Sequence, residues 1–546
     1  MRVFKKYERI LFSVILAAAS SFMIFIAEPI SLYANNINDF WFDLYTILPS
    51  TLLFSLISFI GVFTICLLVF IITKIIKKPI LFDIFYLIFF TVFLIAYVHG
   101  NFFSGSLPTF NGDPIIWDNY TTEYVISIII CLIIIITVII ATIKFRPDHI
   151  VKYATFTTLA IFAMLSISLL SNIVTTDALK EKPVSTYATN DNINTYSIDR
   201  NFLILLVDAV DSERFYQAVG NTPLYKETFT DFTYYPDTVG AYNLTRDSIP
   251  FIFSGQWDYN ETDFITYSTN AYDNSPIFEK LKSDGYNMNF YDIDFIWQSR
   301  KAFDFSNING RTKNINRAAF LKQEIKYVLF KYLPWPLKKF SKADSIDFAN
   351  IQPSNDKEAF DWQDIIYYRN MQENPIELTN QKVFQFLHLE GAHVPHNLDE
   401  NLNLIDPEIG TYAQKCAATL KLINIYINRL KQANVYNNSS IIIMADHGVN
   451  HIANPNPILY IKGTNEHHDY QTSNKAIWYP DLIEAYNELL AGESSSDLFT
   501  HVTNEHRDRI VIQIPFQHED HMTEWVQTGQ AWDEKTLTKT GREFDL

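Results

Sequence analysis

Cysteine is scarce in this chain of 546 residues, which has only three. Cys66 and Cys131 fall inside long apolar runs and Cys416 stands alone far downstream, so the C-terminal region has no internal disulfide framework. Its core must be large enough to hold without one. Lysine and arginine are missing altogether from residues 28–46 and 99–123. The net charge of -17 argues against nucleic acid or a broad anionic surface as a partner, since binding phosphates by neutralisation needs clustered lysine and arginine. No Walker-type loop or GxGxxG segment is present, so nothing supplies a nucleotide-binding turn.

What the chain does have is apolar sequence, concentrated in its first third. Runs at about 10–27, 47–73, 80–98, 124–143 and 153–171 each approach the roughly 20 residues needed to cross a hydrocarbon core of about 30 Å. The second is long enough to tilt or to emerge at one end. Arg2, Lys5, Lys6, Arg9, Lys74, Lys77, Lys78, Lys144, Arg146 and Lys152 occupy the N-terminus and alternate connections, against none in 28–46 and 99–123. That asymmetry predicts a cytoplasmic N-terminus and five crossings, with everything after about 172 on the outer face. A cleaved signal peptide is the competing reading of the first run, but no small-residue cleavage site follows Ala27 and four more runs come after it.

Residues 173–199 are polar and read as a linker. From residue 200 to 546, buried-strand patterns alternate with helical ones. Continuous apolar character at Arg200–Val207, Asn287–Tyr291, Val383–Leu389, Ser440–Ala445 and Ile458–Ile461 predicts strands of a parallel sheet. Proline starts and glycine stops predict helices at Pro276–Ser283 and Pro480–Ala491, and helical spacing of Leu420, Ile423, Ile427 and Leu430 predicts another over Tyr412–Ala433. The alternation implies a layered α/β domain with a mostly parallel sheet, and the tail from Arg509 reads as a small antiparallel sheet.

Chemistry in such sheets gathers at the carboxyl ends of strands. Three ends carry suitable groups: Asp208, the pair Asp446-His447 before Gly448, and Glu390 followed by His393. Each alone could cap a turn or helix. Near them in function stands Gly240-Ala241-Tyr242-Asn243-Leu244-Thr245-Arg246-Asp247-Ser248-Ile249-Pro250. It is either a loop entering a capped helix, with a glycosylation sequon at Asn243, or a threonine nucleophile at a helix N-terminus, where the helix dipole favours a phosphate.

This constellation resembles the alkaline-phosphatase/sulfatase superfamily and, within it, the membrane-anchored lipoteichoic acid synthases and lipid A phosphoethanolamine transferases. Thr245-Arg246-Asp247-Ser248 is similar to the threonine-x-Asp-Ser segment of the first group, and Ser248-Ile249-Pro250 to the Ser-x-Pro of the second. The resemblance implies five membrane helices followed by one extracytoplasmic sulfatase-like domain in a bacterial cell membrane. It also implies a divalent ion, Zn²⁺ or Mn²⁺ with a second possible, bound by Asp208, Thr245, Asp446 and His447. Gly391-Ala392-His393-Val394-Pro395 resembles a substrate-binding histidine motif, and Trp297 with Arg300 resembles a pair that holds a phosphate group. His451 matches a further substrate-side histidine, with His467 and His468 as the other candidates. Two departures stand: the first metal residue is Glu in both named groups, and the phosphoethanolamine transferases have disulfides that this chain cannot form.

The implied activity moves the phospho-head group of a phospholipid, phosphoglycerol or phosphoethanolamine, onto an envelope glycan or lipid through a phosphothreonine at Thr245. His393 would serve the departing or attacking oxygen, and Arg300 the phosphate. Two competitors remain: a phosphodiesterase of the same fold, and a non-catalytic envelope-binding membrane protein. Sulfate-ester hydrolysis is disfavoured because no Cys-x-Pro-x-Arg or Ser-x-Pro-x-Arg segment is present. Finally, Asn316–Phe340 mixes Lys322, Lys326, Lys331, Lys338 and Lys339 with large apolar residues, as either an interfacial helix resting on head groups or an amphipathic helix packed on the domain.

Overall fold

The computed structural model describes the chain except residues 1, 38–39, 106, 109–114, 183–185, 294–298, 311–313, 344–346, 349–350, 352–356, 450–454, 503–506, 516–520 and 546, and the side chains of residues 2–7. It divides into two compact units, Met1–Pro183 with Thr312–Asp356, and Val184–Arg311 with Lys357–Leu546.

Among the described residues, the first unit holds five helices long and apolar enough to cross a membrane: Glu8–Asn35, Leu44–Ile75, Pro79–Phe102, Trp117–Lys144 and Pro147–Thr175. They extend the five apolar runs at one or both ends, because the polar flanking residues continue the helical hydrogen bonding. Few polar contacts stitch the helices together. Arg9 donates from Nε and Nη2 to the two oxygens of Asp83 at 2.8 and 2.6 Å, Tyr86 Oη lies 2.9 Å from Thr155 Oγ1, and His99 Nε2 lies 2.8 Å from Ser127 Oγ. Within an apolar bundle such contacts fix which faces meet.

The same unit also contains a helix, Arg317–Tyr332, and a short turn of helix, Trp335–Lys338. Phe320 packs with Ile30, Tyr33 and Leu169, and Val328 and Tyr332 pack with Tyr97, Phe93 and Leu165. A single globular domain over 200–546, as the sequence suggested, therefore gives way here: 312–356 joins the membrane-helix unit. Its apolar residues would look alike in sequence whichever surface they covered. The linker also shrinks, since Thr186–Ala188 and Thr195–Ser197 are strands of the second unit that bury Tyr187 and Tyr196.

Seven strands form the main sheet of the second unit, in the order Gln471–Thr472, Thr233–Tyr234, Leu459–Lys462, Ser439–Met444, Asn201–Val207, Val383–Leu389, Asn287–Tyr291. The last four run parallel, and Leu459–Lys462 is antiparallel to both its neighbours. Every residue of the three strands Asn201–Val207, Val383–Leu389 and Ser439–Met444 is buried, as expected where helices cover both faces of a sheet. Helices Pro276–Ser283 and Tyr412–Gln432 lie where periodicity placed them, while the third predicted helix begins as a 3₁₀ turn and runs Leu482–Ala491. The tail is an antiparallel sheet of Arg509–Gln513, His521–Gln527 and Leu537–Asp545.

Arg509 ties that tail to the body of the unit. Fully buried, it donates to Asp237 Oδ1 at 2.8 Å and to the carbonyls of Asp237, Ile477 and Gly529. Removing one partner of a buried pair strands the other charge, a loss of about 3–5 kcal/mol. Arg509→Met is therefore expected to lower the unfolding free energy of the solubilised chain by that much, read from denaturant titration; an unchanged value would show that Asp237 finds another partner.

Candidate active site

Register brings four strand ends to one edge. Met444 pairs with Leu206, Val207 with Leu389 and Tyr291 with Leu387, so Asp446, Asp208, Glu390 and Asp292 all leave the sheet on the same side. Directly after Asp208 the chain turns through Ala209 at φ 55°, a left-handed conformation that costs a residue with a Cβ on the order of 1–3 kcal/mol. The turn directs Ala209 N to Asp446 Oδ1 at 3.3 Å and so joins the two strand ends.

Thr245 is the first residue of the ten-residue helix Thr245–Ser254. Its Oγ1 donates to Asp208 Oδ2 at 3.2 Å and lies 3.3 Å from His447 Nε2, which is itself 3.2 Å from Asp446 Oδ2. Ser248, one turn on, donates to Asp446 O at 2.7 Å and fastens this helix to the strand end. Asn243 is spent structurally, donating to Ile514 O and accepting from Ile514 N, so its amide serves the C-terminal sheet.

Asp208, Asp446 and His447 are buried and offer ligand atoms within 4.8 Å of one another. Asp208 Oδ1 and Asp446 Oδ2 are buried and accept no well-aligned hydrogen bond among the described residues, although His447 Nε2 lies 3.6 and 3.2 Å from them. Buried carboxylate oxygens are normally satisfied, so these two are aimed at something else. Two carboxylates, an imidazole and a hydroxyl form a donor set that suits a divalent cation such as Zn²⁺ or Mn²⁺.

The two carboxyls titrate apart. Burial alone would raise Asp208, yet the imidazoles of His393, His388 and His447 outweigh it and hold the group well below the usual carboxylate range. Asp446 is pushed up, by burial first and by the Asp208 charge second. Like charges this close resist joint ionisation unless a cation enters between them.

Sequence reasoning did not single out His388, a buried residue in an apolar strand. Its Nε2 lies 3.2 Å from Asp208 Oδ2 and its Nδ1 2.8 Å from Asp292 Oδ1, so it fixes the Asp208 carboxylate from behind. A polar residue in the run VFQFLHL was the available signal. Trp362 stacks edge-on against both His388 and His393, with ring centroids 5.2 and 5.3 Å away. Glu390, another strand-end carboxylate, stays out of the cluster because Lys415 Nζ holds it at 2.8 Å. Neighbouring Asp364, raised to about 7 chiefly by burial, accepts from Gly391 N at 3.2 Å.

Of the residues named from sequence, Asp208, Thr245, Asp446 and His447 come together, and His393 lies close enough for its charge to act on Asp208. Arg300 opens the exposed turn Arg300–Asp304, and no contact among the described residues joins it to the cluster. Trp297 and His451 lie outside the described residues. His467 and His468 are removed by strand direction: Leu459–Lys462 runs antiparallel, so they emerge at the opposite edge, where Asn465 N bonds Asn437 O. Arg246, not anticipated, lines a cleft with Thr245, Phe264 and Asp292, its guanidinium paired with Asp247 and set over the Phe264 ring.

The sulfatase family model matches residues 200–504, more than half of the chain. The chain belongs to the sulfatase family. This is the superfamily that the Thr245, His393 and Asp446-His447 segments resemble. No curated protein matches the chain by sequence. Among solved structures, Ps i-CgsB is similar at 13% identity over 64% of this chain and 86% of that one, with a TM-score of 0.39. The lipoteichoic acid synthase LtaP from Listeria monocytogenes is similar at 12% identity over 65% and 88%, TM-score 0.35. The C-terminal periplasmic domain of EcEptC from Escherichia coli is similar at 12% identity over 66% and 96%, TM-score 0.31.

One glycine sets how closely the His393 loop approaches the cluster. Gly391 has φ +56°, and a Cβ there would lie 2.6 Å from Asp208 N and 2.7 Å from Asp208 O. Gly391→Ala in the sulfatase-family chain is expected to cut bound divalent metal at least tenfold, read by elemental analysis, with a lower melting temperature. Full metal content in that variant would show that the Asp208 backbone can move freely.

Proposed function

We propose that this chain transfers the phospho-head group of a membrane phospholipid, phosphoglycerol or phosphoethanolamine, to an envelope glycan or lipid through a covalent phosphothreonine at Thr245. The observation that carries this reading is Thr245 Oγ1 itself, at a helix N-terminus and 3.2 Å from Asp208 and 3.3 Å from His447. A hydroxyl beside a cation site and a helix dipole is placed to become a nucleophile and to receive a phosphate.

Asp208, Asp446, His447 and Thr245 would hold the ion. Bound there, a divalent cation lowers the pKa of a hydroxyl it touches and offsets negative charge building on phosphorus. Thr245 Oγ, its proton given up to water, forms a bond to phosphorus while the bond to the diacylglycerol oxygen breaks. His393 gives that departing oxygen a proton. Then an acceptor hydroxyl, deprotonated by His393, attacks the phosphothreonine and releases Thr245, which takes back a proton. Arg246, lining the cleft beside Thr245, offers a guanidinium to the phosphate, and Arg300 and Trp297 would bind the same group.

The five apolar helices support a donor drawn from the bilayer, and the ten-to-zero distribution of basic residues supports a cytoplasmic N-terminus with the catalytic unit outside. Both features support a reading in which the work is done at the outer face of a bacterial cell membrane.

Reconstituted full-length chain given a phospholipid with a labelled head group is expected to release diacylglycerol in step with labelling of an acceptor. Chelation should stop this and added Zn²⁺ or Mn²⁺ restore it, while Thr245→Ala should fall at least about a thousandfold, the scale of losing a nucleophile. Label appearing only as a free head group would make the enzyme a phosphodiesterase instead.

A further inference from the structure

Residues 317–342 carry seven basic side chains and one acidic, in a chain whose net charge is -17. Within the membrane-helix unit their inner face is latched at one end of the bundle. Lys331 Nζ and Tyr332 Oη donate to the same Glu28 oxygen at 2.6 and 2.9 Å, and Trp335 N donates to Ser127 Oγ at 3.1 Å. The Tyr332 ring lies against Gly100, where a Cβ would come within 2.3 Å of it. Gly100 is in the last turn of Pro79–Phe102, Glu28 directly follows the apolar run 10–27, and Ser127 lies about three turns into Trp117–Lys144, early in the apolar run 124–143. These contacts sit at the bundle end whose connections, 28–46 and 99–123, have no lysine or arginine. Helices of 24–28 residues outrun a hydrocarbon core of about 30 Å, so such turns lie at head-group depth.

The outer face is of another kind. On the helix the buried stripe is Phe320, Glu324, Val328 and Tyr332, and the opposite stripe, Lys322, Ile325 and Leu329, is exposed. Leu337, Lys339, Phe340 and Lys342 continue it, Phe340 at 65% exposure. Lys326 and Lys331 are paired with Asp347 and Glu28. Among the described residues none of Arg317, Lys322, Lys339 and Lys342 is paired with a carboxylate, and the segment's own Glu324 is buried. Four exposed cations interleaved with exposed apolar side chains, fixed at head-group depth, match an anionic lipid surface.

We propose that residues 317–342 form a lipid-binding foot: Arg317, Lys322, Lys339 and Lys342 bind the phosphates of anionic phospholipids, and Ile325, Leu329, Leu337 and Phe340 enter the acyl boundary. The foot concentrates anionic lipid around the bundle that carries the catalytic unit. It depends on the phosphotransfer reading only in the consequence that an anionic donor is enriched there. Each cation near such a surface contributes about fivefold in local binding, from about 1 kcal/mol per residue.

The test places a benzophenone side chain at Phe340 of the full-length chain, in nanodiscs of equal parts phosphatidylcholine and phosphatidylglycerol. Phosphatidylglycerol adducts should exceed phosphatidylcholine adducts fivefold or more at low salt and approach parity at high salt. They should also approach parity in Arg317→Gln/Lys322→Gln/Lys339→Gln/Lys342→Gln, whose surface changes leave the melting temperature in place. No lipid adduct at 340, or both lipids captured equally in the unsubstituted chain, would overturn the foot. Capture reads binding without turnover, so preferential adducts without head-group transfer would sink only the phosphotransfer reading, and transfer without preferential adducts only the foot.

Discussion

Two buried carboxylates facing each other across adjacent strand ends are what the catalytic unit is organised around. Asp208 and Asp446 cannot both be ionised, buried and unneutralised, and the protein meets only part of that demand from its own side chains. His388 and His447 lend positive character, Ala209 N and Thr245 Oγ1 donate, and one oxygen of each carboxylate is left over. A divalent cation would complete the balance under the proposed function, and the hydroxyl already lying against the same groups is Thr245. The chemistry of the site follows from this incomplete neutralisation.

The surrounding structure serves to keep those groups from relaxing. Asp292 holds His388 from the far side, Ser248 ties the helix that begins at Thr245 to Asp446, and Gly391 lets the His393 loop press against the Asp208 backbone. A second buried set, Glu390, Lys415 and Asp364, braces that loop with a charge balance of its own, which is why Glu390 is not available to the cluster despite leaving the same sheet edge. Such support is what turns nearby polar residues into a preorganised site.

How much of this could be read from the chain depended on whether the signal was local. The parallel strands were legible because fully buried strands are continuous apolar runs, and Asp208 and Asp446-His447 were legible because polar groups end those runs abruptly. His388 was not, since one histidine inside VFQFLHL looks like any satisfied core histidine until Asp208 and Asp292 are seen on its two nitrogens. Strand direction, too, is invisible locally: only the antiparallel course of Leu459–Lys462 sends His467 and His468 to the wrong edge. The same limit applied to 312–356, whose Phe320, Val328 and Tyr332 pack with the membrane helices rather than with the domain that surrounds them in sequence.

The most direct measurement is peptide mass analysis of the full-length protein after incubation with phospholipid and divalent metal but no acceptor. The peptide bearing Thr245 should gain a phosphate ester whose mass names the transferred group, and the gain should vanish in Asp446→Asn. An unmodified Thr245 in protein that still releases diacylglycerol would contradict the covalent mechanism.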